Sequence, residues 1–222
     1  SLRRQRQMCI RDSSKERAGK NLPKTYEDLA DSQWKGRVLI RSSSNAYNQS
    51  LLASILAAEG PDAALAWAKG VTANMARPPQ GNDRDQVRSV ALGLGELAVV
   101  NTYYLGLLEN ADDPKDRAAR AAVGVIFPNQ SDRGAHVNVS GAGIVKGAKN
   151  RPHAVALLEF LTSKKIQASY QKMTSEFAVA EGIKPEPLQE KWGTFKPDLT
   201  SLHELAGHQE EAVKIFDLAG WK

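Results

Sequence analysis

Two adjacent tyrosines, Tyr103 and Tyr104, close the stretch Asn101-Thr102-Tyr103-Tyr104, directly after the apolar run Leu97-Ala98-Val99-Val100. A third, Tyr47, lies in the polar segment Ser42-Ser43-Ser44-Asn45-Ala46-Tyr47-Asn48-Gln49-Ser50. Three of the chain's five tyrosines therefore fall in two polar junctions. A phenolate is a hard oxygen ligand, and ligand hardness helps match a site to its metal. Tyrosine holds the ferric haem iron of catalase. The ordinary alternative is a set of half-buried packing residues, each with a wet hydroxyl.

Side chains inside a strand alternate faces, so two neighbouring tyrosines there would diverge. Where a strand stops, they can converge on one point. The elements that must position them can be read along the chain. A short helix over residues 26–30 precedes the turn Trp34-Lys35-Gly36-Arg37 and the strand Val38-Leu39-Ile40. A helix over 46–59 carries the apolar stripe Leu51, Leu52, Ile55 and Leu56 and stops at Gly60-Pro61. Asp62 is expected to cap the next helix, over 63–69. Asp83 is expected to cap another, with Gln86 at the capping-box position and Val87, Val90, Ala91 and Leu94 as its core face. Strand 97–100 then delivers the tyrosine pair.

Further on, Asp113-Pro114 opens a helix with proline at its first position. Strands are expected over 123–127, 137–139 and 142–145. Helices follow over 154–161, opened by Pro152, and over 166–172. A proline-rich bridge over 185–197 leads to a closing helix with Val213, Ile215, Phe216 and Leu218 as its apolar surface. Strands alternating with helices predict an α/β sheet covered on both faces.

The segments Thr25-Tyr-Glu-Asp-Leu-Ala-Asp, Trp34-Lys-Gly-Arg, Arg41-Ser-Ser-Ser-Asn, Gly81-Asn-Asp-Arg-Asp-Gln, Val100-Asn-Thr-Tyr-Tyr and His136-Val-Asn-Val-Ser-Gly-Ala carry a resemblance. From Lys24 to Lys222 the chain resembles the periplasmic ferric-iron-binding proteins of ABC importers, the Fut/Idi/Fbp type. That resemblance implies a type-2 periplasmic-binding-protein α/β fold with two lobes and a ligand cleft between them. Residues 14–133 would lie mostly in the second lobe, 134–182 would return to the first, and 183–222 would go back to the second. The first lobe would be incomplete, the chain being N-terminally truncated. Tyr103 and Tyr104 match the family's tyrosine pair, and Tyr47 matches the third phenol of the Fut/Idi subtype. The histidine and further tyrosine that the family draws from the opening of its first lobe have no counterpart here. Ferric iron would be the transported ligand and the membrane permease of an ABC importer the partner. The protein would be a monomer in the periplasm, or otherwise extracytoplasmic and membrane-associated.

Residues 1–13 do not fit the rest of the chain. Arg3-Arg4-Gln5-Arg6-Gln7-Met8-Cys9-Ile10-Arg11-Asp12 shows neither helical nor strand period and holds the only cysteine. It resembles the translation of a transposon-end adapter, and otherwise reads as a disordered basic arm. Four of the 30 basic and one of the 25 acidic residues lie in it, so the head supplies +3 of the net +5. The remainder is close to neutral, which removes the charge argument for nucleic acid. A single cysteine excludes zinc ribbons and iron–sulfur clusters and fits an oxidising compartment.

Asn101 and Arg84 are further candidates beside the phenols. Asn101 could equally make a strand-end hydrogen bond, and Arg84 reads more readily as a solvated residue at a helix start. His136, His153, His203 and His208 lack metal-ligand spacing and are expected to be structural or exposed, with His136 nearest the lobe crossing. No nucleophile elbow, phosphate loop or dinucleotide fingerprint is present, which argues against an enzyme. A second reading keeps the fold and changes the ligand to an oxyanion or polyamine, an anion being held near Ser42–Ala46. A hydrolase or transferase using Ser42–Ser44 is a third.

Overall fold

The computed structural model describes residues 22–222 in full and residues 4–12 as backbone. Helix α1 (Ala46–Glu59) starts where the Asn45 side chain accepts the backbone N–H groups of Tyr47 and Asn48. It stops at Gly60, whose φ of +82° suits a residue without a Cβ. Its buried residues include Leu51, Leu52, Ala53, Ile55 and Leu56. Helix α2 (Pro61–Asn74) begins on proline with Gly60 as its N-cap, so Asp62 sits in the first turn and does not cap.

Helix α3 (Asp83–Ala91) corrects a second expectation. Asn82 is the N-cap, and Asp85 completes the capping box by accepting the Asn82 N–H. Gln86 donates instead to the carbonyls of Gln80 and Asn82. Asp83 is left without any capping duty.

Strand β2 (Val38–Leu39) runs parallel to β3 (Leu97–Asn101), with Val38 opposite Leu97. β3 is buried along its whole length, as a strand covered on both faces must be. Its alternation feeds two cores. Leu97 and Val99 join the cluster of Leu51, Leu52, Ile55, Trp67 and Phe216, while Ala98 and Val100 join Val87, Val90, Leu105 and Leu108.

Arg4–Asp12, for which a disordered basic arm is one expectation, forms strand β1. Met8–Asp12 pair antiparallel with β3, and Arg4–Gln7 pair with β4 (Val137–Ser140). Arg4 and Gln5 also pair with β5 (Phe177–Ala178). Main-chain hydrogen bonding needs no side-chain period, so the sequence pattern carried no trace of this strand. Residues 1–3 and 13, also in the expected head, lie outside the described residues.

Helices α4 (Tyr103–Glu109) and α5 (Pro114–Ala121, capped by Asp113) follow β3. No named strand forms over 123–127, where Val123 and Ile126 are single bridge residues, or over 142–145. Helices α6 (Arg151–Thr162), α7 (Lys164–Thr174) and the short α8 (Pro187–Glu190) lead to α9 (Leu202–Gly207) and α10 (Gln209–Ala219). α10 packs on α1 and α2 through Ala212, Ile215 and Phe216, which leaves Val213 and Leu218 exposed, contrary to the expected face.

Candidate metal centre

Because β3 is locked between two cores, the point where it ends is fixed. The chain turns at Thr102 into α4, and the first turn of that helix carries Tyr103 and Tyr104. Their rings lie 4.0 Å apart, centroid to centroid, at 32°. Tyr47 arrives from the first turn of α1, and its hydroxyl oxygen is 3.4 Å from that of Tyr103. That separation is long for a hydroxyl pair, whose usual spacing is about 2.7–2.8 Å. The three phenols thus come together from two helix starts, and Tyr47 and Tyr104 are half-buried while Tyr103 is 8% exposed.

Burial pushes the Tyr103 phenol well above its ordinary value, and the neighbouring Tyr104 and Tyr47 hydroxyls add to the shift. Burial also raises Tyr104, where the Asp83 carboxylate adds to the rise and the Arg41 guanidinium opposes it. Both phenols are therefore neutral near pH 7 unless a cation displaces the proton. Close approach behind α4 matters too. A Cβ at Gly106 would fall 1.9 Å from the Ser175 hydroxyl oxygen, so glycine lets α4 lie against the end of α7.

The remaining candidates separate. The Asn101 backbone N–H donates to Asp83 at 3.0 Å, and its side-chain oxygen accepts from Asn138 at 3.3 Å. It is fully buried, and its amide nitrogen has no partner among the described residues. Arg84 is exposed and its charge acts on Asp116, so the structure does not bring it to the tyrosines. The residues beside the phenols are its sequence neighbour Asp83 and the distant Arg41, whose Nη1 donates to Asp83 Oδ2 at 2.6 Å. Sequence reasoning missed both. The available signal was two consecutive cap-type residues, Asn82 and Asp83, of which only one can cap. Asp83 is 2% exposed, and burial raises its carboxyl while the Asn101 N–H and Arg41 pull the other way.

His136 is buried, and its Nε2 lies 2.9 Å from the Ser50 hydroxyl oxygen. Burial pushes its imidazole down to about 4. His153 and His203 are exposed, and His208 faces Glu211 at 4.0 Å. Ser42 and Ser44 bond to each other at 3.0 Å, whereas the histidine–serine contact of the described residues is made by Ser50. The amides at the start of α1 that an anion would use, those of Tyr47 and Asn48, are taken by Asn45. Among the described residues, no group of three or more His, Cys, Asp or Glu is placed to hold a metal.

The chain is similar to several known proteins. The chain is 50% identical over 198 residues to iron uptake protein A1 of Synechocystis, covering 89% of the chain and 55% of that relative. It superposes on a Trichodesmium IdiA/FutA structure in complex with iron and citrate ligands with a TM-score of 0.93 and 40% identity, covering 99% of this chain and 69% of that one. The ferric binding protein from Campylobacter jejuni gives 0.92 and 39%, covering 100% and 70%. The chain spans about half the length of the curated relatives it matches. Its fold is the type-2 α/β fold of periplasmic solute-binding proteins. Residues 13–194 match the family described as bacterial extracellular solute-binding protein, and to that family the chain belongs.

Proposed function

We propose that the protein to which this chain belongs captures ferric iron through the phenolate oxygens of Tyr47, Tyr103 and Tyr104 and presents it to the permease of an ABC importer. The observation that carries this reading is the convergence of three phenols, with Tyr47 and Tyr103 hydroxyls 3.4 Å apart. Three phenolates bring three negative charges, which balance a trivalent cation without a buried surplus. Each phenol must lose its proton to bind, so iron and protons compete for the same oxygens. The raised Tyr103 and Tyr104 phenols keep the site neutral until the metal arrives.

A binding role, without catalysis, is what the relatives' names support: iron uptake and ferric iron binding. Periplasmic location follows the same relatives, and no helix among the described residues is long and apolar enough to cross a membrane. The lobe division at residues 14–133, 134–182 and 183–222 belongs to this reading. The polyamine alternative needs free carboxylates at the phenols, and the nearby one, Asp83, is already held by Arg41 and the Asn101 N–H.

The test is the visible phenolate-to-iron charge-transfer band on adding ferric iron as its nitrilotriacetate complex. A band in the wild type that is lost in Tyr103→Phe, with iron affinity down at least tenfold, supports the assignment. A colourless wild type, or a band unaffected by Tyr103→Phe, refutes it.

A further inference from the structure

The two segments that carry the phenols are far apart in the chain, and one ion pair joins them. The Arg41 carbonyl accepts the Asn48 side-chain N–H at 2.9 Å and the Trp221 indole N–H at 3.0 Å. Its backbone is thereby pinned to the first turn of α1, one residue from Tyr47. The Arg41 guanidinium donates to Asp83 Oδ2 at 2.6 Å, and Asp83 Oδ1 accepts the Asn101 N–H at 3.0 Å, two residues before Tyr103. The pair is sheltered, with side-chain exposures of 23% for Arg41 and 3% for Asp83.

A carboxylate at the start of a helix ordinarily serves that helix. Here Asn82 and Asp85 already satisfy the start of α3, so Asp83 is spare for another task. Taking a charge pair partly out of water is costly, so such a pair is weak evidence for added stability. We propose that the Arg41–Asp83 pair is a positioning device that holds the Tyr47 segment at a fixed distance from the Tyr103–Tyr104 segment. The pair sets the opening that the incoming ion must fill. This inference rests on the reading of the phenols as the ferric site.

Substitution isolates the device cleanly. The Asn48 and Trp221 bonds go to the Arg41 backbone and survive any side chain, so Arg41→Met removes only the guanidinium. Asp83→Asn keeps an oxygen for the Asn101 N–H and removes only the charge. Two readouts are needed, one with iron and one without. The first is the affinity and band position with ferric nitrilotriacetate. The second is photo-oxidative cross-linking of Tyr47 to Tyr103 in the metal-free chain, mapped by peptide analysis. Arg41→Met and Asp83→Asn should each weaken iron binding about tenfold, as loss of an orienting partner does at metal sites. They should shift the band and lower the cross-link yield several-fold, and Arg41→Lys should restore most of both. Unchanged affinity and cross-linking in Arg41→Met would overturn the proposal. So would an Arg41→Lys variant as defective as Arg41→Met with a matching loss of melting temperature, since that is a plain folding defect. A wild type without the band whose cross-link still falls in Arg41→Met would remove the iron reading and leave the positioning device standing.

Discussion

Helices α1 and α6 are similar in length, at 14 and 12 residues, and both are rich in apolar side chains. α1 buries Leu51, Leu52, Ala53, Ile55 and Leu56 between α2, α10 and the sheet. α6 buries none of its residues, and Val155, Leu157 and Phe160 stand 36%, 55% and 57% exposed. An apolar stripe therefore says that a face gains by being covered, and only the tertiary arrangement says whether it is. The difference also bears on function. The phenols sit on the first turns of α1 and α4, both anchored in cores, and a binding constellation is most exact when rigid elements carry it. Nothing of the site rests on α6.

The largest expected effect is on the covered side. Leu52→Ala removes a fully buried side chain from the middle of α1 and should cost about 2–5 kcal/mol in chemical denaturation. A loss below about 1 kcal/mol would mean that the α1 core can collapse around the gap, and the contrast with α6 would shrink accordingly.

Next comes His136, which stands where the chain enters β4. Its neighbours are Asp198, whose charge favours protonation, Arg133, whose charge opposes it, and the Asn138 side chain; burial outweighs them. The folded imidazole titrates near 4, whereas an unfolded histidine titrates near 6.5. Between those values the unfolded chain binds more protons, so stability is full above about pH 6.5 and falls as pH drops toward 4. At about 1.4 kcal/mol per unit, the total loss is about 3 kcal/mol. Denaturation at a series of pH values measures it, and His136→Gln should flatten the slope. An unchanged slope in that variant would assign the acid sensitivity to other groups.

What the sequence made legible depends on how local each signal is. The bounds of α1 were readable because Asn45 and Gly60-Pro61 punctuate it within a few residues of its ends. β3 was readable as a continuous apolar run, and the tyrosines after it inherited a position from where that run stops. The Asp83 role was not readable, because a cap-type residue looks the same whether it serves its own helix or a strand 18 residues away. Arg84 stands out in the sequence for its charge and its place beside that motif, yet helix phase turns it to solvent and Asp116. β1 left no period to read, since its pairing with β3 and β4 runs through the main chain. The segments 123–127 and 142–145 have strand composition but form no named strand, and strand pairing is a long-range property.

The smallest expected effect sharpens the comparison most. Phe160 on α6 is a large aromatic residue that sequence pattern assigns to an apolar face, and it is 57% exposed. Burial of apolar area is what makes such a residue stabilising, at about 25 cal/mol per Å² removed from water. With most of the ring already in solvent, Phe160→Ser removes little buried area. The cost should stay within about 0.5 kcal/mol, the range of ordinary surface changes. The same substitution should leave the ferric titration unchanged, because α6 touches neither α1 nor α4 among the principal helix contacts. Denaturation of this chain with and without the substitution decides the point. A loss above about 1.5 kcal/mol, well beyond that surface range, would show that the α6 face is covered in solution, by another copy or another segment. The contrast with α1 would then be one of partners and not of helices.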